Sequence, residues 1–422
     1  MFGRMAWRCI RCCAALFALT GCELSSASPP TAGPAQSTSG RVTAVATPSR
    51  AAQATVTPQR IPGAATPSAS ATSGVATIQP TARLDTPASA VNVLAWSPDG
   101  QTLAGSADAT DTRDYAVHLW RANGTALATL VGHSERIPAL AWSPDGRVLA
   151  SGSLDGTVRL WSATGAALNT LSLATQWVYD LAWSPDGQTL AVGAIQVPST
   201  VVGSGTPTPI VPGTVTLWSA AGELRATLGP PRRTGGKFFH VAWSRDGSTL
   251  AAGAMTFAIW RADGTLVAAL DEATTPARGM AFSPDGMVLA TGDENSTLRL
   301  YTGAGTLFAT LGETGVNSLA FAPDGKTLAV HGGTLLDLMG ARVTRRELPL
   351  RGIPQSNLAW SPEGGRLVAG FSDQSAQIWR ADGRLDTILA GCGGIPSSVA
   401  WSPDGRTIVA ATRDGRLCLW HP

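Results

Sequence analysis

Few side chains in this 422-residue chain stand where they could do chemistry. The five histidines, His118, His133, His240, His331 and His421, are scattered, and no two have metal-ligand spacing. No Gly-x-Ser-x-Gly turn presents a nucleophilic serine, and no glycine-rich loop is built to cradle phosphate. Asp108, Asp111 and Asp114 recur at a spacing that matches no calcium loop and read as a solvated turn. The sequence therefore points to no metal and no cofactor. One acid–base pair, Asp180 with His240, stays open as a site assembled from separate segments. Of the six cysteines, only Cys392 and Cys418 lie beyond the first 22 residues.

What would position such groups is a repeat. A phrase occurs eight times: LAWSPDG from Leu94, Leu140 and Leu181, VAWSRDG from Val241, MAFSPDG from Met280, LAFAPDG from Leu319, LAWSPEG from Leu358 and VAWSPDG from Val399. Its apolar part alternates with period two, as a strand does, and Pro-Asp-Gly makes a tight turn into a second strand. In the second copy, Thr157 to Trp161 and Ala167 to Leu171 supply a third and a fourth strand. Four strands in about 40 residues is the blade of a β-propeller. The fold class is thus all-β, a single propeller over residues 76–422. Eight blades follow from eight phrases, or seven if the sixth repeat, with Met339 near the place of a tryptophan, forms no blade of its own.

The stretch Leu130-Val131-Gly132-His133 followed by LAWSPDGRVLASGSLDGTVRLW resembles the WD-repeat family, and the likeness extends over residues 78–422. It implies a propeller whose role is to hold other proteins. It also implies a structural hydrogen-bond tetrad, complete only as His133, Ser151, Asp155 and Trp161; Asp373 and Asp414 hold the same turn position without a matching His. No repeat has the family's Asp after the strand-ending Trp, so apolar packing between blades is expected to carry the ring. Twelve of the 14 tryptophans recur at two repeat positions, as packing requires. The last repeat ends at its third strand, and residues 78–84 are placed to supply the fourth and close the ring. Cys392 stands nine residues before Trp401, the offset of His133 from Trp142; with Cys418 it forms either a disulfide or two buried thiols.

The N-terminus bears on location. Residues 1–21 carry Arg4, Arg8 and Arg11 before a short apolar run, the pattern of an export signal. Leu19-Thr20-Gly21-Cys22 resembles the lipobox of bacterial lipoproteins, which implies acylation of Cys22 and attachment to the outer face of the cytoplasmic membrane, or to an outer membrane where there is one. Residues 22–75 are rich in Ser, Thr, Ala and Pro and read as a disordered tether. Without the three leader arginines the 31 Lys and Arg fall to 28 against 29 Asp and Glu, a balance that draws no nucleic acid.

What distinguishes the repeats is their surface. The third has a long insertion, Ile195 to Gly213, and the third and fourth place large or charged groups ahead of the phrase. Arg136, Trp177, Tyr179, Asp180, Arg232, Arg233, Lys237, Phe239, His240 and Arg278 form the candidate partner-binding face, although Tyr179 and Phe239 are in phase with core aromatics. The reading is a monomeric, lipid-anchored, non-enzymatic protein-interaction platform. A receptor for a glycan, peptide or small ligand, and an enzyme with a site across blades, remain as alternatives.

Overall fold

The computed structural model describes residues 75–85, 91–107, 114–173, 176–196, 213–229, 238–254, 257–270, 277–313, 316–340 and 342–422. Among the described residues every regular element is a strand, and the strands form eight sheets of four, one of which gains a fifth strand. Each phrase is the first, innermost strand of a blade. The inner strands pack in sequence order, and that of blade 8, Pro396–Trp401, packs on that of blade 1, Val91–Trp96. The ring is an eight-bladed β-propeller.

The Pro-Asp-Gly turns behave as their residues dictate. The eight turn glycines, Gly100 to Gly405, have φ between 68° and 76°, which a side chain rarely tolerates. In six turns the phrase serine donates its hydroxyl to the aspartate two residues on, as Ser97 does to Asp99 at 2.5 Å. Those aspartates also accept the backbone N–H that follows the glycine, so the turn is tied from both sides.

Aromatic wedges hold neighbouring blades together. Trp142, Trp183, Trp243 and Trp360 each donate the indole N–H, at 3.0–3.1 Å, to the carbonyl of the phrase alanine one blade back: Ala95, Ala141, Ala182 and Ala320. The strand-ending aromatics pack behind them, Trp120, Trp161, Trp260, Tyr301, Trp379 and Trp420 all being buried. Burying a ring of this size contributes about 4–6 kcal/mol. The eight phrase alanines are all half-buried, as residues beside a central channel would be.

The sixth repeat does form its own blade, Leu319–Phe321, Thr327–Val330, Thr334–Met339 and Arg342–Glu347. The seven-blade alternative is thereby excluded. In the ladder, however, Leu336 and not Met339 takes the tryptophan's place, opposite Leu328, just as Trp161 stands opposite Leu149. The turn after the second strand is four residues shorter there, so the slot falls earlier than the spacing predicts. Met339 is left 70% exposed.

Closure uses two strands where one was expected. β1 (Ala76–Ile78) runs parallel to the outer strand of blade 7, Leu385–Leu389. β2 (Ala82–Asp85) pairs antiparallel with Arg416–Trp420 and completes blade 8. Pro80, which has no N–H to give to a ladder, separates them.

Trp183 and Trp401 make a matched pair, each 8% exposed, but Trp401 Nε1 finds no protein acceptor. Replacing Trp183 by Phe removes its bond to the Ala141 carbonyl, whereas Trp401→Phe removes no bond. Trp183→Phe should therefore be the less stable variant, by about 1 kcal/mol or more, in urea titrations of both.

Candidate functional site

The face carrying the turns between second and third strands, and the loops between blades, is the one on which the repeats diverge. Counting back from each phrase aromatic places the candidate residues in tiers. Six residues back stand Arg136, Trp177 and Lys237 in blades 2, 3 and 4; four back stand Tyr179, Phe239 and Arg278 in blades 3, 4 and 5; three back stand Asp180 and His240. The structure adds what periodicity missed. The inner strand is interrupted between Val178 and Asp180, between Phe238 and His240, and between Ala277 and Gly279. Tyr179, Phe239 and Arg278 are the unpaired residues of these β-bulges. A bulge re-aims the side chain and shifts the alternation, so Val178, not Tyr179, is the fully buried residue, and Tyr179 is half-buried. The expectation that Tyr179 continues the phase of the core aromatics is corrected on this ground.

The hairpin of blade 3 is the longest in the ring. Gln176–Trp183 and Thr189–Gln196 have eight residues each, where the corresponding described strands of other blades have three to seven. Trp177 sits near its upper end, opposite Ile195, half-buried. Arg136 is half-buried in the loop entering blade 2, where its carbonyl accepts the N–H of Leu154. Arg278 is paired with Glu294 of its own blade at 2.7 Å. Arg232, Arg233 and Lys237, the insertion over 197–212, Cys22 and Asp108 and Asp111 lie outside the described residues, as does the side chain of Phe239.

Asp180 and His240 do come together at the channel, and their arrangement is that of a brace. Asp180 Oδ1 accepts the N–H of Leu181 at 2.9 Å and Oδ2 accepts the N–H of Val241, in the next blade, at 3.0 Å. His240 Nδ1 is 3.6 Å from Oδ2, beyond hydrogen-bond reach. The same slot braces the next junction elsewhere: Ser318 accepts from Leu358 N–H, and Asn357 both accepts from Val399 N–H and donates to Val399 C=O. These polar residues bind backbone across junctions, a role no local motif announces. Among the described residues no cluster of three or more His, Cys, Asp or Glu is placed to hold a metal.

In three blades the incoming loop is clamped at the same offset from the phrase. In blade 2, His133 bonds Asp155 Oδ2 and Ser151 Oγ, each at 2.8 Å, and Trp161 donates to Ser151 Oγ at 2.9 Å. Arg351 holds the same offset in blade 7, where Gln377, fully buried, bonds its backbone N–H and C=O. In blade 8 the clamp is covalent, a Cys392–Cys418 disulfide.

Two cavities, of about 490 and 570 Å³, open on the opposite face. The larger surrounds the channel mouth and is lined by Trp360, Trp401, Phe321, Ala359, Ala400 and Arg245 among others.

Comparison with known families finds one match. The family described as WD domain, G-beta repeat, matches residues 78–120, 124–162, 165–195, 264–302, 353–380 and 383–421, about half of the chain. The unmatched stretches hold the insertion of blade 3, most of blade 4 and the shortened blade 6. No curated protein shows a significant match to the chain.

Burial raises the Asp155 carboxyl, but hydrogen bonds from His133 and Thr157 outweigh it and hold the group well below the usual carboxylate range. A carboxyl depressed on folding stabilises above its unfolded value, near 3.9, and that stability is lost as pH falls further. Thermal melts of wild type and Asp155→Asn should differ most at pH 7 and converge below about pH 4.

Proposed function

The chain belongs to the WD-repeat family, and from that premise we propose that it is an exported, lipid-anchored propeller that holds a protein partner on its divergent loop face. The observation that carries this reading is the break in eightfold regularity at blade 3. A scaffold needs only packing at equivalent positions, and the seven other hairpins meet that need with fewer residues. The extra length lifts Trp177 to the rim, next to blades whose equivalent slots hold Arg136 and Lys237. An aromatic flanked by cations is the composition of an interface hot spot. Tyr179 one tier below, re-aimed by a bulge, extends the same surface.

The reading is non-enzymatic. Both oxygens of Asp180 serve backbone N–H groups, which leaves the pair with His240 as an inter-blade brace. Anchoring rests on Cys22 and its preceding Leu-Thr-Gly, and the balanced charge gives the surface no general attraction for nucleic acid.

Two measurements test the proposal. Membrane fractionation should recover the wild-type chain with lipid and release Cys22→Ser to the soluble fraction. Crosslinking capture from envelope extract should recover a protein with the wild-type chain and lose it with Trp177→Ala, Arg232→Glu, Arg233→Glu combined, provided both proteins melt alike. Capture of no protein by either chain overturns the platform; equal capture moves its site off blades 3 and 4.

A further inference from the structure

Blade 8 differs from its neighbours in three independent ways. It is assembled from distant parts of the chain, β2 lying against Arg416–Trp420. Its two junctions lack the indole bond: Trp401, facing blade 7, and Trp96, facing blade 8 from blade 1, keep Nε1 buried with no protein acceptor. The indoles of Trp379 and Trp420 are in the same state, because Ala369 and Ala410 stand where Ser151 accepts the bond from Trp161 in blade 2. These four are the described tryptophans with buried, unpartnered Nε1, and all lie in blades 7, 8 and 1. Third, the only described cysteines form a disulfide there.

We propose that blade 8 is the seam at which the ring opens, and that the Cys392–Cys418 disulfide is its lock, so that closure depends on thiol redox state. The bond ties the loop entering blade 8 to its third strand. Cys418 is also the ladder partner of Arg83 in β2, so the locked strand is the one that receives the N-terminal strand. β1 continues the clasp on blade 7, where Ala390 N–H donates to Ile78 C=O at 3.0 Å. Neither sulfur is accessible, Cys392 being 2% and Cys418 0% exposed. A dithiol can attack only after these strands part. The exchange then runs through a mixed disulfide. The reagent's first thiolate attacks one protein sulfur, breaking the S–S bond and releasing the other cysteine as thiolate. Its second thiolate attacks the reagent sulfur of the mixed disulfide and releases the remaining cysteine. Two cysteine thiols and one oxidised dithiol result, with two electrons passing to the protein.

Amide hydrogen exchange of the full-length chain, read by mass spectrometry before and after dithiothreitol, tests the lock. Reduction should speed exchange about tenfold or more in residues 76–85 and 396–420, and leave 139–302 unchanged. Cys392→Ala/Cys418→Ala should show that pattern without reductant and no response to it. Should the double variant fail to fold, wild type reduced after folding supplies the same comparison. The rate of reduction should level off at high dithiothreitol, at the seam's own opening rate. Loss of protection spread evenly around the ring, protection of blade 8 unchanged on reduction, or a reduction rate that climbs in proportion to reagent without limit would each overturn the proposal.

Discussion

Everything in this ring depends on how eight strands converge on one axis. The phrase puts a small side chain, alanine, next to that axis in all eight copies. With so little bulk inside, the inner strands must be held from the side. That is the work of the aromatic next in sequence, which packs between blades and, in four copies, reaches back to the carbonyl of the preceding alanine. Alanine and tryptophan are thus two halves of one device. The first lets backbones approach, and the second fastens the backbone so exposed. Phe282 and Phe321 keep the wedge and give up the bond, which is why the phrase tolerates them. The missing Asp after the strand-ending Trp is tolerated for the same reason, since these junctions do not rely on it.

The fold was legible because packing repeats by position. Blade number, hairpin turns and the origin of the closing strand all follow from counting, as does the offset shared by His133, Arg351 and Cys392. Counting failed where length changed without a punctuating residue. The short turn in blade 6 moved the aromatic slot from Met339 to Leu336, and the bulge at Tyr179 reversed its expected phase. Bulges leave no residue signature here, since Asn92, Tyr179, Phe239, Arg278 and Ser397 share only their place. The candidate face was legible only as a set of departures. The bracing use of Asp180 was not, because its partner is a backbone N–H 61 residues away.

The polar slot above the alanines shows how one position serves structure in some blades and remains free to vary in others. Asp180, Ser318 and Asn357 each fasten the following blade, by one or more bonds. Val93, Ala139 and Gly279 occupy the slot without such a side chain. Bracing at every junction is therefore unnecessary. Variation concentrated next to a bulge in successive blades is a route by which a packing repeat acquires a distinct face, since side chains are re-aimed while the ladder on either side stays intact.

Blade 8 faces the opposite demand. In the other blades the outer strand follows the third strand within a few residues, so it is held at little cost in chain entropy. β2 arrives from more than 300 residues away, and four ladder positions must hold it. Its junctions also forgo two indole bonds, and a buried unpaired donor costs about 1–3 kcal/mol each. A disulfide spanning 26 residues restricts the unfolded chain by about 3–4 kcal/mol. The two magnitudes are comparable. Two neutral hydrogen bonds like those between Gln377 and Arg351, at about 1 kcal/mol each, would meet only the low end of the deficit. The covalent clamp therefore stands in the one blade where the weaker form of the same clamp would be insufficient.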